Sequence, residues 1–213
     1  MMSALGAEVV LVDQLPGSTP GKVSGGDLEL VEQEARRLVL ERQAFRADQF
    51  RLPGSAHAHY SHTAQEILRQ TGGEFDAFCD FSGTASSFAG CAAAFKEQDP
   101  TIKCYVVEPV GAAVLAGVAV TNPHHRIQGG GYCLDTLPLL VSQHVDGYLQ
   151  VSDEEAAGMA RRLAGEEGIF AGFSSGANVA AAVHLLQLTL HGATIVVILN
   201  DSGLKYLSTE LWK

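Results

Sequence analysis

The residues able to do chemistry in this chain fall in three short polar runs, each placed just after an apolar stretch. They are Ser82-Gly83-Thr84-Ala85-Ser86-Ser87, Gly172-Phe173-Ser174-Ser175-Gly176-Ala177-Asn178 and Asn200-Asp201-Ser202-Gly203. Where a strand ends and a helix begins, unpaired backbone N–H groups and the helix dipole favour an anion. The hydroxyls at 82–87 therefore make either a phosphate cradle or a helix cap with small packing residues. The run is neither a P-loop nor a G-x-G-x-x-G motif, so ATP and NAD gain no support. At the second exit, a hydroxyl of Ser174 or Ser175 either pairs with a ligand ring nitrogen or caps the helix. At the third, Asp201 and Ser202 either cap the segment after them or reach the same cleft.

Other chemistries compete for these residues. Residues 172–176 match G-x-S-x-G literally, the pattern of a hydrolase nucleophile elbow. That fold expects an acid and then a histidine after the serine. Here the last histidine, His191, precedes Asp201, and no Asp or Glu lies between Ser174 and His191. His57, His59 and His62 invite zinc, yet no nearby cysteine or H-E-x-x-H run completes a ligand set, so no metal is expected. Gly129, Gly130 and Gly131 either let backbone approach a flat ligand or form a flexible turn.

The elements that must position these runs are legible as alternating strands and helices. Residues 8–12 read as a strand, 14–26 as a segment rich in Pro and Gly breakers, and 28–40 as an amphipathic helix. Residues 44–52 read as extended and then irregular, stopped by Pro53 and Gly54. A helix follows at 63–69, ended by Gly72 and Gly73. Strands are predicted at 75–81, 102–107, 148–151 and 194–199, helices at 88–95 and 175–190, and loop over 111–130. Ser152 with Glu155 three residues on forms a capping box for a further helix. Strands without period-two alternation, separated by helices, imply an α/β fold with a parallel sheet covered on both faces. The division expected is 1–46 as a remnant of one domain and 47–213 as most of another.

Composition narrows the function classes. A formal net charge of -10 over 213 residues disfavours nucleic acid and anionic membrane as partners. No apolar run reaches the roughly 20 residues of a membrane span. The start carries no signal-peptide pattern, so a cytoplasmic location is expected. Cys79, Cys91, Cys104 and Cys133 show no C-x-x-C spacing and read as buried free thiols of a reducing compartment.

Longer stretches carry a resemblance. Residues 5–8 (LGAE), 151–156 (VSDEEA), 159–164, 166–169, 174–179 (SSGANV) and 201–209 (DSGLKYLST) are similar to the β-family pyridoxal-phosphate enzymes that include cysteine synthase and cystathionine β-synthase. The resemblance runs over essentially the whole chain. It implies a three-layer parallel sheet of the tryptophan-synthase-β-like type with an incomplete small domain, and pyridoxal phosphate as cofactor. By position it implies that Gly83, Thr84, Ser86 and Ser87 hold the cofactor phosphate, that Ser174 meets the pyridine nitrogen, and that Gln49 and Gly129 line the pocket of a small-molecule amino acid. The implied reaction is a β-replacement forming cysteine from an activated serine and sulfide.

The chain also departs from the family pattern. The family's "GTGGT" reads Gly83-Thr84-Ala85-Ser86-Ser87 here, and an alanine or serine that needs positive φ strains the loop. Leu52 and Ser55 stand where asparagines are usual, Ala64-Gln65 replaces "GP", and Tyr132-Cys133 replaces the second half of "GAG". The Schiff-base lysine lies before the segment matched, and none of Lys22, Lys96, Lys103, Lys205 and Lys213 stands in its context, so no catalytic residue is assigned. The expectation is a chain truncated at its N-terminus and inactive alone. The alternative is a noncatalytic pyridoxal-phosphate-binding or regulatory partner of a full-length relative, with a homodimer as another possible assembly.

Overall fold

The computed structural model describes residues 2–17 and 25–213. Part of the Pro- and Gly-rich segment, with Lys22, lies outside the described residues. The chain divides into two compact units, Met1–Ala47 and Asp48–Lys213.

The first unit is built on helix α1, Gly25–Arg42, longer at both ends than the 28–40 predicted. Ion pairs at helical spacing support it: Arg36 with Glu32 at 2.7 Å, and Arg37 with Glu34 at 2.6 Å and with Glu41. The predicted strand at 8–12 does not form. Those residues join no sheet and Leu11 is 87% exposed, because among the described residues of this unit no strand stands beside them to share a ladder.

In the second unit, β1 (Ala77–Phe81), β2 (Lys103–Pro109), β3 (Gly147–Val151) and β4 (Ile195–Val197) form one parallel sheet in the order β3-β2-β1-β4. β1 is central and buried throughout, which is why its sequence is an almost unbroken apolar run. Around the sheet lie α2 (Pro53–Ala58), α3 (Ala64–Thr71), α4 (Ser86–Gln98), α5 (Asp153–Glu166) and α6 (Phe173–Leu188). Side chains alternate across β1. Phe78 packs on Phe88 and Phe95 of α4, with ring centroids 6.0 and 5.2 Å apart. Cys79 and Phe81 join the opposite core, with Phe173, Ala177 and Ala181 of α6 and Ala156 and Ala160 of α5. A core on each side of the sheet makes three layers.

Two glycines set how closely the helices cross. A Cβ on Gly176 would stand 2.0 Å from the Ala156 carbonyl oxygen, and one on Gly90 would stand 2.2 Å from that of Ala56. Local punctuation follows the sequence in most places. Ser152 and Glu155 make the capping box, Glu155 N donating to Ser152 Oγ at 3.2 Å and Ser152 N to Glu155 Oε2 at 2.8 Å. Gly72 ends α3 at φ +66°. Pro53 is the exception: read as a stop, it starts α2, since a first-turn residue has no internal acceptor to lose and the ring fixes a helical φ. No helix among the described residues is long and apolar enough to cross a membrane.

Candidate functional site

The three polar runs meet at one cavity, the first following β1 and the third following β4; the second, expected at a strand exit, follows no strand and is joined to the third run by an isolated bridge between Ala171 and Ser202. A cavity of about 290 Å³ is lined by Gly83, Thr84 and Ser87 of the first run, Ser174 of the second, and Asn200 and Asp201 of the third. Gln49, Gly129, Tyr132 and Lys205 complete its wall with Phe81. Of the residues that the family resemblance assigns to cofactor and substrate, only Ser86 stands off the wall; its hydroxyl is 2.8 Å from that of Thr84.

The first run turns from β1 into α4 through Ala85, which has φ +62° and ψ 8°. Left-handed backbone costs an L-residue with a Cβ roughly 1–2 kcal/mol, so the sequence expectation of strain falls on Ala85, whereas Ser86 is already helical. Ala85→Gly is expected to raise stability by about 1 kcal/mol in denaturant melts, the relief being offset in part by the entropy of an unfolded glycine. Ser87 Oγ donates at 2.5 Å to Asp80 Oδ2.

The glycine turn packs directly on this loop. A Cβ on Gly83 would lie 2.8 Å from the Gly129 carbonyl oxygen, and one on Gly130 only 2.2 Å from that of Ser82. Gly131 N donates to Ser82 O at 2.9 Å, and Gly129 and Gly131 have φ +105° and +67°. Both close approach and backbone conformation exclude side chains here, so the turn is fixed by its neighbours.

The serines of the second run divide their work. The N-cap of α6 is Gly172, with no side-chain cap bond. Ser175 Oγ accepts from Asn200 N at 3.0 Å and so ties the second exit to the third. Ser174 is 4% exposed and faces the cavity, its Oγ 3.6 Å from where a Cβ of Gly129 would stand. In the third run Ser202 caps, accepting from Leu204 N at 3.3 Å. Asp201 reaches the cleft instead: its Oδ2 accepts from Tyr206 Oη at 2.6 Å, and its Oδ1 is buried with no partner.

Asp80 is a residue that sequence reasoning misses. It is 1% exposed on β1, and its carboxylate accepts from Ser87 and, at 3.4 and 3.5 Å, from the Nδ2 groups of Asn178 and Asn200. Burial pushes it up to about 6 in spite of these bonds. A lone acid inside an apolar strand two residues before a hydroxyl-rich loop is the signal that marks it. Tyr132, edge-on to Phe50 at 6.4 Å, figures in the sequence only as a departure from the family turn, yet it stands on the cavity wall.

Among the described residues the competing chemistries find no assembled site. No histidine lines the cavity that Ser174 faces. His57, His59 and His62 are spent on their own helical turns, against Ser61 Oγ (3.2 Å), Thr63 Oγ1 (3.0 Å) and Ala58 O (3.1 Å). Among the described residues no three histidine, cysteine or acidic side chains are grouped to hold a metal ion. Ser55 Oγ donates to Leu52 O at 2.8 Å and Gln65 Nε2 to Tyr60 O at 3.2 Å. These departures from the family pattern serve local helix structure. All four cysteines are unpaired, and burial pushes Cys79, Cys91 and Cys104 up to about 12.

Comparison with known proteins places this geometry. Residues 1–201 match the family described as pyridoxal-phosphate dependent enzymes. Cysteine synthase 3 of Caenorhabditis elegans is 37% identical over 214 residues, covering all of this chain and 60% of that protein. A cysteine synthase of Staphylococcus aureus is 34% identical over 215 residues, again covering all of this chain and 64% of the relative. The chain thus spans less than two thirds of the length of these curated relatives. Among solved structures, O-acetyl serine sulfhydrylase isoform 3 of Entamoeba histolytica superposes with a TM-score of 0.85 at 33% identity, over 99% of this chain and 60% of that one. O-ureido-L-serine synthase gives 0.84 at 32%, over 99% and 63%. The three-layer parallel α/β architecture is the fold of these structures, and the chain belongs to the pyridoxal-phosphate-dependent enzyme family.

Proposed function

We propose that this cavity binds pyridoxal phosphate and forms part of a β-replacement site of the cysteine-synthase type, in which an activated serine and sulfide give cysteine. By itself the chain holds the cofactor reversibly and does not turn over. The observation that carries the reading is that the loop at 83–87, the Gly129 backbone and the Ser174 hydroxyl share one cavity of about 290 Å³. The donor set suits the group. Amides in the first turn of α4 have no acceptor inside the helix and, with Thr84, suit a phosphate ester. Gly129 leaves room for a flat ring, and Ser174 offers a hydroxyl to a ring nitrogen. When bound, such a ring supplies an electron sink for the amino acid's α-carbon. Gln49 and Gly129 then line the substrate's place.

The lysines support the second half of the proposal. Lys96 and Lys103 pair with Asp146 at 2.6 and 3.3 Å. Lys205 alone of the described lysines lines the cavity, and it is 3.6 Å from Asp201 Oδ2. Titration with pyridoxal phosphate, followed by borohydride reduction and peptide mass analysis, tests this. Saturable binding with no modified lysine is expected; a lysine fixed to the cofactor would overturn it. Ser174→Ala is expected to weaken binding about tenfold, the worth of one hydrogen bond to a charged partner.

The same lysine pattern favours a second reading, a noncatalytic cytoplasmic regulatory chain that pairs with a full-length relative or with itself. Sedimentation of the chain alone and mixed with a full-length cysteine synthase separates the two, since a monomer in both runs excludes such a partner.

A further inference from the structure

Beneath the loop at 83–87 lies a buried polar cluster that the proposed reaction does not use. Asp80 forms its floor, and the groups that meet its carboxylate are neutral: the hydroxyl of Ser87, the amides of Asn178 and Asn200, and the backbone N–H of Phe81. Asn178 is itself fully buried, donates also to Ile198 O at 2.8 Å, and leaves its Oδ1 unpartnered. A carboxylate in such a place is held by hydrogen bonds without a countercharge, directly under helix amides that favour an anion.

The bond between Asp80 and Ser87 has a consequence for that anion. Ser87 lines the cavity, but a hydroxyl has one proton to give. While Asp80 is ionised, that proton is spent on the carboxylate, and the cavity receives only lone pairs from Ser87. When Asp80 is protonated it donates to Ser87 Oγ, and the Ser87 proton is released toward the cavity.

We propose that Asp80 is a positioning residue that makes anion binding at the 83–87 loop proton-dependent, by turning the Ser87 hydroxyl from acceptor to donor and by removing a negative charge from beneath the loop. This rests on the phosphate reading of the loop given above. Burial places the carboxyl's change of state at about 6. Among the described residues, none of the other titratable groups nearby is bonded to Ser87. Cys79 on the same strand and Cys91 on α4 are both pushed up to about 12 and stay neutral. Val106 of β2 is the register neighbour of Asp80; Glu108, two residues on, is also pushed up by burial, but its carboxylate accepts from Leu115 N and Ala116 N at 3.0 and 2.9 Å, and α6 presents the uncharged Asn178. The charged pair Asp201 and Lys205 stands on the cavity wall without a bond to Asp80.

Sulfate is the probe of choice, because it keeps its charge where a phosphate monoester, with its second pKa near 6, does not. Calorimetric titration of the full chain with sulfate from about pH 5 to about pH 8 is expected to show affinity falling about tenfold as pH rises, the effect of losing one charge-assisted bond. In Asp80→Asn, whose amide donates to Ser87 at every pH, affinity stays near the low-pH value throughout. Ser87→Ala retains the buried acid and removes the coupling, so its low-pH affinity drops and the pH ratio shrinks. It also serves if Asp80→Asn does not fold. Sulfate binding with an equal pH ratio in wild type and Asp80→Asn, or an undiminished ratio in Ser87→Ala, overturns the role of Asp80 and leaves the cradle standing. Sulfate binding to none of the proteins at any pH overturns the cradle reading, and this proposal with it.

Discussion

Replacing Gly176 by alanine is expected to lower the stability of the chain by about 3 kcal/mol, at the upper end of the cost of overpacking a closed core. The added methyl would stand 2.0 Å from the carbonyl oxygen of Ala156 and 2.8 Å from the amide nitrogen of Ala160. Both are backbone atoms of α5, so relief requires the two helices to move apart. The helices share the core that covers one face of the sheet, and separating them exposes apolar surface along their length. For a chain of this size the thermal midpoint should drop by about 10 °C. Gly158, also on α5, provides the control, since a methyl added there would meet nothing within 4 Å. Gly158→Ala should raise stability by roughly 0.5–1 kcal/mol through helix propensity alone. A melt in which both variants move alike would refute the packing account. Because Ser174 sits in the first turn of α6, Gly176→Ala should also weaken cofactor binding in whatever fraction remains folded.

The second large effect is in the pH dependence of folding. Asp80 is pushed up to about 6 from an aspartate's ordinary 3.8, chiefly by burial. Between those two values the folded chain holds a proton that the unfolded chain has released. Stability therefore falls as pH rises through the window and stays lower above it. A shift of this size corresponds to about 3 kcal/mol. The expected result is that Asp80→Asn, compared with wild type by urea melts from about pH 4 to about pH 8, gains about 3 kcal/mol relative to wild type across the window. A stability difference independent of pH would show that Asp80 titrates alike in both states. Other carboxylates act in both directions: burial pushes Glu108 up as well. Asp146, whose burial is outweighed by bonds from Lys96, the Cys104 N–H and Lys103, is held below the usual aspartate range and favours the fold at higher pH, so the difference between the two proteins, not either curve alone, carries the test.

Much of this is readable from residue types. The parallel sheet follows from apolar runs without alternation, and the α5 cap from Ser152 and Glu155. The three polar runs placed after apolar ones do meet at one cavity, although the apolar stretch before the second is too short to form a strand and keeps only an isolated bridge. What escapes is nonlocal. Residues 8–12 have the composition of a strand, but a strand is a property of a pair, and the described neighbours provide no partner. Pro53 has two structural uses, and only the chain after it decides between stopping one segment and starting another. Ala85 in place of glycine is legible as a danger, while its left-handed backbone is not. Asp80 escapes because its meaning depends on Asn178 and Asn200, which nothing in the local sequence connects to it. The division of labour between Ser174 and Ser175 likewise turns on one bond to Asn200.

That bond and its neighbours also impose an order of events on the growing chain. β1 is central, yet its partner β4 follows every other strand of the sheet in sequence, and Asn200 meets Asp80 across 120 residues. Contacts of such long range form late, after the entropy of closing the intervening chain has been overcome. A nascent polypeptide released as far as α5 already contains Asp80, Ser87 and the glycine turn, but it lacks Asn178 and Asn200, the two amides that meet the other oxygen of the buried acid. The floor of the cup therefore closes late: the polar cluster is complete only when β4 has taken its place beside β1 and brought Asn200 to Asp80.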